Sequence, residues 1–101
     1  MTHYWTWRGT YFGYRRDNCL FTHKGKCIGH FSGEEIYGRD GRYLGEVRNK
    51  NRLITNKSKF NRRGRSAPNL QGGAYARYAN YAGFAMYAGF EDFPEPESFS
   101  R

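Results

Sequence analysis

The chain has 101 residues, 38% of them hydrophobic, with a formal net charge of +8. That length fits one small domain, one that buries only about 60–65% of its unfolded surface. No stretch is long and apolar enough for a transmembrane helix: residues 72–90 are Gly, Ala and Tyr with Arg77 inside.

Aromatic residues are 19% of the chain, so half of the hydrophobic share is Tyr, Phe or Trp. A core can be built from such large side chains in small number. Thirteen Gly beside three Pro complete a strand-and-turn composition. The charge is uneven. Residues 1–71 hold 15 Lys or Arg against 5 Asp or Glu, whereas residues 72–101 hold 2 against 4. A basic body attracts nucleic acid, nucleotides or anionic membrane, although charged edges and loops also keep a sheet protein in solution. The N-terminus MTHYWTWRGTYFGY has no apolar core of a secretory signal, so the cytoplasm is the expected compartment.

Read from its N-terminus, the chain repeats itself. Tyr4-Trp5-Thr6-Trp7, Arg8-Gly9, Thr10-Tyr11-Phe12-Gly13 is the first copy, and Leu20-Phe21-Thr22-His23, Lys24-Gly25, Lys26-Cys27-Ile28-Gly29 the second. Ile36-Tyr37-Gly38-Arg39, Asp40-Gly41, Arg42-Tyr43-Leu44-Gly45 is the third. A degenerate fourth runs Leu53-Ile54-Thr55-Asn56, Lys57-Ser58, Lys59-Phe60-Asn61-Arg62. From Gly9 to Gly25, Gly41 and Ser58 the steps are 16, 16 and 17 residues. X-Gly between two strand-forming runs predicts a two-residue hairpin turn. That register sets Trp5 against Phe12, Phe21 against Ile28, Tyr37 against Leu44 and Ile54 against Asn61. On the other face it sets Tyr4 against Gly13, Leu20 against Gly29 and Ile36 against Gly45. Arg16-Asp17-Asn18, Ser32-Gly33-Glu34 and Asn49-Lys50-Asn51 turn the chain between hairpins. An isolated hairpin is marginal in water. The expected fold is therefore all-β, four tandem β-hairpin repeats of about 16 residues packed around a pseudo-fourfold axis.

Six aromatics then recur every third residue: Tyr75, Tyr78, Tyr81, Phe84, Tyr87 and Phe90. A threefold extended chain aligns them in one stripe, whereas an α-helix winds them round and a strand alternates them. Docking of this stripe on the hairpins, as an extended triplet-repeat segment packed on the body, is preferred to a free binding tail because the hairpin core is small. The domain reading is 1–64 for the hairpins, 65–71 for a linker within the polar run RRGRSAPNLQ, and 72–101 for the triplet repeat and an acidic tail. Glu91-Asp92-Phe93-Pro94-Glu95-Pro96-Glu97 is an acidic end of the kind in which mobility concentrates.

The units Gly25-Lys26-Cys27-Ile28-Gly29 and Gly41-Arg42-Tyr43-Leu44-Gly45, followed by a strict triplet segment and a short Ser/aromatic end, resemble the bacterial 4-fold β-flower proteins. The resemblance implies the four-hairpin fold and brings no activity with it. Triplets in that family are rich in Pro and Lys or Arg, while here they are Tyr-Ala-x.

Cys19, His23, Cys27 and His30 have a spacing suggestive of zinc, but the two-residue register places Cys27 on the opposite face from Cys19 and His30, which excludes both a closed tetrahedron and a Cys19–Cys27 disulfide. Glu34 and Glu35 are adjacent and point apart, and no nucleophile–base set or phosphate loop is present. The chain reads as a non-enzyme without a cofactor. All four tips should gather at one end, carrying Arg8, His23, Lys24, Lys26, Arg39, Arg42, Lys57 and Lys59 with Trp7 among them and Asp40 as the one acid. Cations around an aromatic suit phosphate and base stacking. The expectation is a cytoplasmic bacterial or phage protein that binds nucleic acid or nucleotide there. The alternative is an assembly module whose aromatics and triplet tail contact a protein partner or a second copy.

Overall fold

A computed structural model describes residues 1–99 and shows an all-β protein without α-helix. Seven strands, β1 (Thr2–Thr6), β2 (Tyr11–Arg16), β3 (Cys19–Thr22), β4 (Cys27–Ser32), β5 (Glu35–Gly38), β6 (Tyr43–Arg48) and β7 (Arg52–Asn56), pair antiparallel in chain order. A parallel pairing of β1 with β7, through Trp5 with Arg52 and Thr6 with Leu53, closes them into a barrel. An eighth strand, β8 (Phe90–Asp92), takes the half of the β7 edge that β1 leaves open, from Ile54 to Asn56.

The hairpin tips depart from the two-residue expectation. The Thr6 N–H donates to Thr10 C=O (2.8 Å) and the Gly9 N–H to Thr6 C=O (2.9 Å), which encloses three residues, Trp7-Arg8-Gly9. The same two bonds recur at Thr22, Lys26 and Gly25, and at Gly38, Arg42 and Gly41. Each loop is a turn followed by a glycine at positive φ (99°, 91° and 81°), the three-residue hairpin loop. A bulge follows in each hairpin. Trp5 pairs with Tyr11, Phe21 with Cys27 and Tyr37 with Tyr43, in place of Phe12, Ile28 and Leu44. The bulge restores the expected pairs Tyr4–Gly13, Leu20–Gly29 and Ile36–Gly45.

The fourth hairpin does not form. Lys57–Lys59 is a 3-10 turn capped by the Asn56 side chain, and Ile54 pairs with Glu46 and Asp92 instead of Asn61. The run Lys59-Phe60-Asn61-Arg62 offers one apolar residue to a barrel wall, whereas Phe90-Glu91-Asp92-Phe93 offers two.

Phe12, Ile28, Phe31, Ile36, Leu53 and Phe93 belong to one buried cluster that also holds Tyr4, Leu20 and Val47. Trp5, Trp7, Tyr11, Tyr14, Phe21 and Tyr37 are buried as well, under the chain from residue 62 onward. That chain runs as a girdle past the tips. Gly64 and Ala67 donate to the carbonyls of Gly41 and Gly38, Gly72 and Tyr75 to those of Gly25 and His23, and Tyr81 and Phe84 to those of Gly9 and Trp7, all at 2.6–3.1 Å. The triplet aromatics lie on body aromatics: Tyr78 on Tyr11 (centroids 5.0 Å), Tyr81 on Trp5 (3.9 Å) and Phe84 against Trp7 (5.0 Å). The two indole N–H groups donate to the carbonyls of Ala79 and Ala85, both at 2.9 Å. The acidic end is part of the body too: Phe93 is 2% exposed, inside the main cluster.

A Cβ on Gly9 would stand 2.0 Å from the Tyr81 carbonyl oxygen, so the girdle approaches this tip only because no side chain is there. Gly33, also at positive φ (60°), has nothing within 4 Å. Gly33→Ala should lose about 1–2 kcal/mol, the left-handed penalty alone. Gly9→Ala should lose clearly more and shift Trp5 fluorescence as Tyr81 lifts away. Equal losses in urea melts of the two variants would show that the girdle is not seated on the tip.

Candidate nucleic-acid interface

All three tips lie at one end of the barrel because connections alternate along the chain. Arg8, Lys24, Arg39, Arg42 and Lys57 are exposed there. The other expected residues are engaged elsewhere. Trp7 is 2% exposed beneath Phe84 and Tyr87, so its ring offers no open stacking face. His23 is buried, with Nε2 3.9 Å from Glu97; burial and the nearby Arg77 lower its pKa, which favours the neutral imidazole. The Lys26 ammonium donates to the Phe99 carbonyl (2.5 Å).

Lys59 sits between two carboxylates, 2.8 Å from Glu35 and 2.8 Å from Glu46. Tyr37 and Tyr43 hydroxyls donate to these same carboxylates, and Arg62 and Arg48 complete the network at 3.0 and 3.2 Å. The Lys59 hydrogen bond holds Glu35 below its ordinary pKa. Burial pushes Glu46 up, but the bonds from Lys59, Tyr43 and Arg48 outweigh it and the net shift is downward. Lys59 is raised by both carboxylates. This cation braces the wall and is not part of a free ring.

Residues 90–99 run among the tips and bring acid to them. Asp92 accepts from the Trp7 N–H (2.8 Å) and the Arg8 N–H (3.4 Å), and Glu97 stands 3.5 Å from Arg77. The cations therefore flank the chain's own terminal segment rather than an empty centre.

Sequence reasoning missed Arg63, Phe60, Glu91 and Arg52. Arg63 is the antiparallel partner of Arg42, and Phe60 is 46% exposed beside them. The signal was present in the run Arg62-Arg63-Gly64-Arg65, read only as polar linker. Arg52 is 5% exposed, donates to the Trp7 and Ala82 carbonyls (3.2 and 2.8 Å) and stacks on Phe84 at 4.2 Å, tying girdle to barrel.

The cysteines also differ from expectation. Because Ile28 is the bulged residue, Cys27 turns to the same side as Cys19, and both join Tyr14 and Phe21 in a second buried cluster. Burial, and then the Cys19 thiol beside it, push the Cys27 thiol up to about 12, so it stays protonated and inert. Among the described residues, no three His, Cys, Asp or Glu side chains are grouped to hold a metal ion, and no helix is long and apolar enough to cross a membrane.

Fold and surface together define a girdled β-barrel with a cationic tip end. No family model matches the chain, and neither does any curated protein or solved structure. Nothing in these comparisons identifies the chain with the 4-fold β-flower proteins.

Proposed function

We propose that the protein is a small non-enzymatic binding protein that holds nucleic acid or nucleotide phosphates on the cations of its tip end. The observation that carries this reading is the exposed set Arg8, Lys24, Arg39, Arg42 and Lys57, in whose loops Asp40 is the one exposed acid, with Glu95 and Glu97 of the terminal segment facing Arg8 and Arg77. The Arg42 amide and guanidinium hold the Asp40 carboxyl below its ordinary pKa, so it remains paired to Arg42 at 3.7 Å. Exposed cations contribute little to folding, which leaves them available to phosphates.

Salt provides the test. Affinity for a labelled single-stranded oligonucleotide should fall linearly on log–log axes, with a slope of about 0.7 per phosphate contact. Lys24→Gln with Arg39→Gln should flatten that slope by about 1.4 and leave the melting midpoint unchanged. No binding by the parent at low salt would sink the proposal.

A second reading has its own observation. Tyr75, Tyr78, Tyr81, Phe84 and Tyr87 are each 41–48% exposed, so the girdle shows a stripe of ring surface. Such a stripe suits a protein partner or a second copy. Association through it should persist or strengthen with sulfate, opposite to phosphate binding.

A further inference from the structure

We infer that the groove between the third hairpin tip and residues 60–63 is the subsite that takes one nucleotide, its phosphate on Arg42 and Arg63 and its base on Phe60. This rests on the phosphate-binding reading above and gives it a place.

The groove follows from two backbone bonds. The Tyr43 N–H donates to Arg62 C=O (3.2 Å) and the Gly64 N–H to Gly41 C=O (2.8 Å). They lay residues 62–64 beside the tip as a single rung of sheet, with Arg63 directly opposite Arg42. Like charges directly opposite each other on neighbouring strands are destabilising. Here Asp40 is the nearby carboxylate, 3.7 Å from Arg42 and acting on Arg63 at longer range, so one acid faces two guanidinium groups. Two guanidinium groups on one rung can grip a phosphate, each with paired N–H donors.

The rest of the groove suits what a phosphate is attached to. Its volume is about 530 Å³, within the range of small-ligand sites. Phe60 on its wall is 46% exposed and makes no ring contact with the described residues. The chain leaves the 3-10 turn through Phe60, in helical conformation, and that places the ring outside the barrel wall. A free aromatic face beside a phosphate clamp is a stacking platform for a base. Asn61 supplies both donor and acceptor, and Glu91 supplies an acceptor, on the same groove. A carboxylate next to a phosphate site repels a bare anion, but it accepts a hydrogen bond from an exocyclic amine, as acidic side chains do from cytosine. The groove therefore favours adenine or cytosine over thymine, and a nucleotide over inorganic phosphate.

The test uses the full chain and fluorescence anisotropy with labelled oligo-dA, oligo-dC and oligo-dT, with AMP and inorganic phosphate as competitors. Phe60→Ala should weaken oligo-dA binding about 5- to 150-fold at unchanged salt slope, the loss of one stacked base. Arg63→Gln should lower the slope by about 0.7. Glu91→Gln should narrow the preference of oligo-dA and oligo-dC over oligo-dT. All three side chains are exposed, so melting should stay at the parental midpoint. Competition by AMP identifies a free nucleotide as sufficient, and competition by oligomers alone identifies a nucleotide within a strand. Parental binding by Phe60→Ala and Arg63→Gln, with Lys24→Gln and Arg39→Gln still weakened, would overturn the groove and leave the phosphate-binding reading standing. No binding by the parent would overturn both.

Discussion

Phe93→Ala is expected to lose about 3–5 kcal/mol of stability, the cost of truncating a buried phenylalanine. Phe93 is 2% exposed and stands edge-on to Phe12 with centroids 5.2 Å apart. Its ring occupies the notch made by Gly45, where a Cβ would come within 2.6 Å of the ring carbon Cδ1. Gly45 pairs with Ile36 and cannot fill that space itself. The expected loss is a large part of the 5–15 kcal/mol available to a small domain. Urea melts of the parent, Phe93→Leu and Phe93→Ala measure it, with Phe93→Leu retaining most of the stability. If Phe93→Ala melts like the parent, the terminal segment is not part of the core.

Lys59→Met should cost about 3 kcal/mol, because it leaves the buried Glu46 and half-buried Glu35 without their shared cation. Arg48 and Arg62 remain and keep the cost at the low end of the range for a broken buried pair. The pH dependence gives the sharper reading. Glu35 and Glu46 have lowered folded-state pKa values, so their contribution is present above about 4.5 and is lost as pH falls through the folded values. Lys59 has a raised value, so its contribution is full below about 10.5 and is lost as pH rises through the folded value. The parent should be most stable between these limits. In Lys59→Met the buried Glu46 keeps only the Tyr43 and Arg48 bonds against its burial, so its folded-state pKa rises and its protonation relieves the cost. The gap between variant and parent should close as pH falls below about 4.5. A gap that stays constant from pH 7 to pH 3 would show that Lys59 does not carry the carboxylates.

Both predictions concern residues that sequence alone misplaced. An X-Ser turn at Lys57-Ser58 puts Lys59 on a basic tip, and its neighbours put Phe93 in an acidic terminal segment. Neither position can be corrected from local pattern. The partner of Lys59 is a pair of carboxylates on β5 and β6, and the partner of Phe93 is a glycine 48 positions earlier. In the tip cluster, Arg8, Lys24, Arg39, Arg42 and Lys57 are exposed as expected, because charged residues at a turn have nowhere else to point. Trp7 and His23 are not, because the girdle lies over them.

The sequence by itself determined the strand-and-turn rhythm, the three hairpins at Gly9, Gly25 and Gly41, and the pairs Tyr4–Gly13, Leu20–Gly29 and Ile36–Gly45, while the three-residue aromatic period favoured a docked stripe over a free tail without deciding it. These are local or periodic properties, set by where glycine permits positive φ and by which residues fall on one side of an extended chain. Only the tertiary structure decided the bulges that turn Phe12, Ile28 and Leu44 inward, the replacement of the fourth hairpin by β8, and the meeting of Arg42 with Arg63. A barrel must close with every edge paired and its interior filled. That requirement acts between residues far apart in the chain, so a wall segment with too little apolar surface at 59–62 is exchanged for a better one at 90–93.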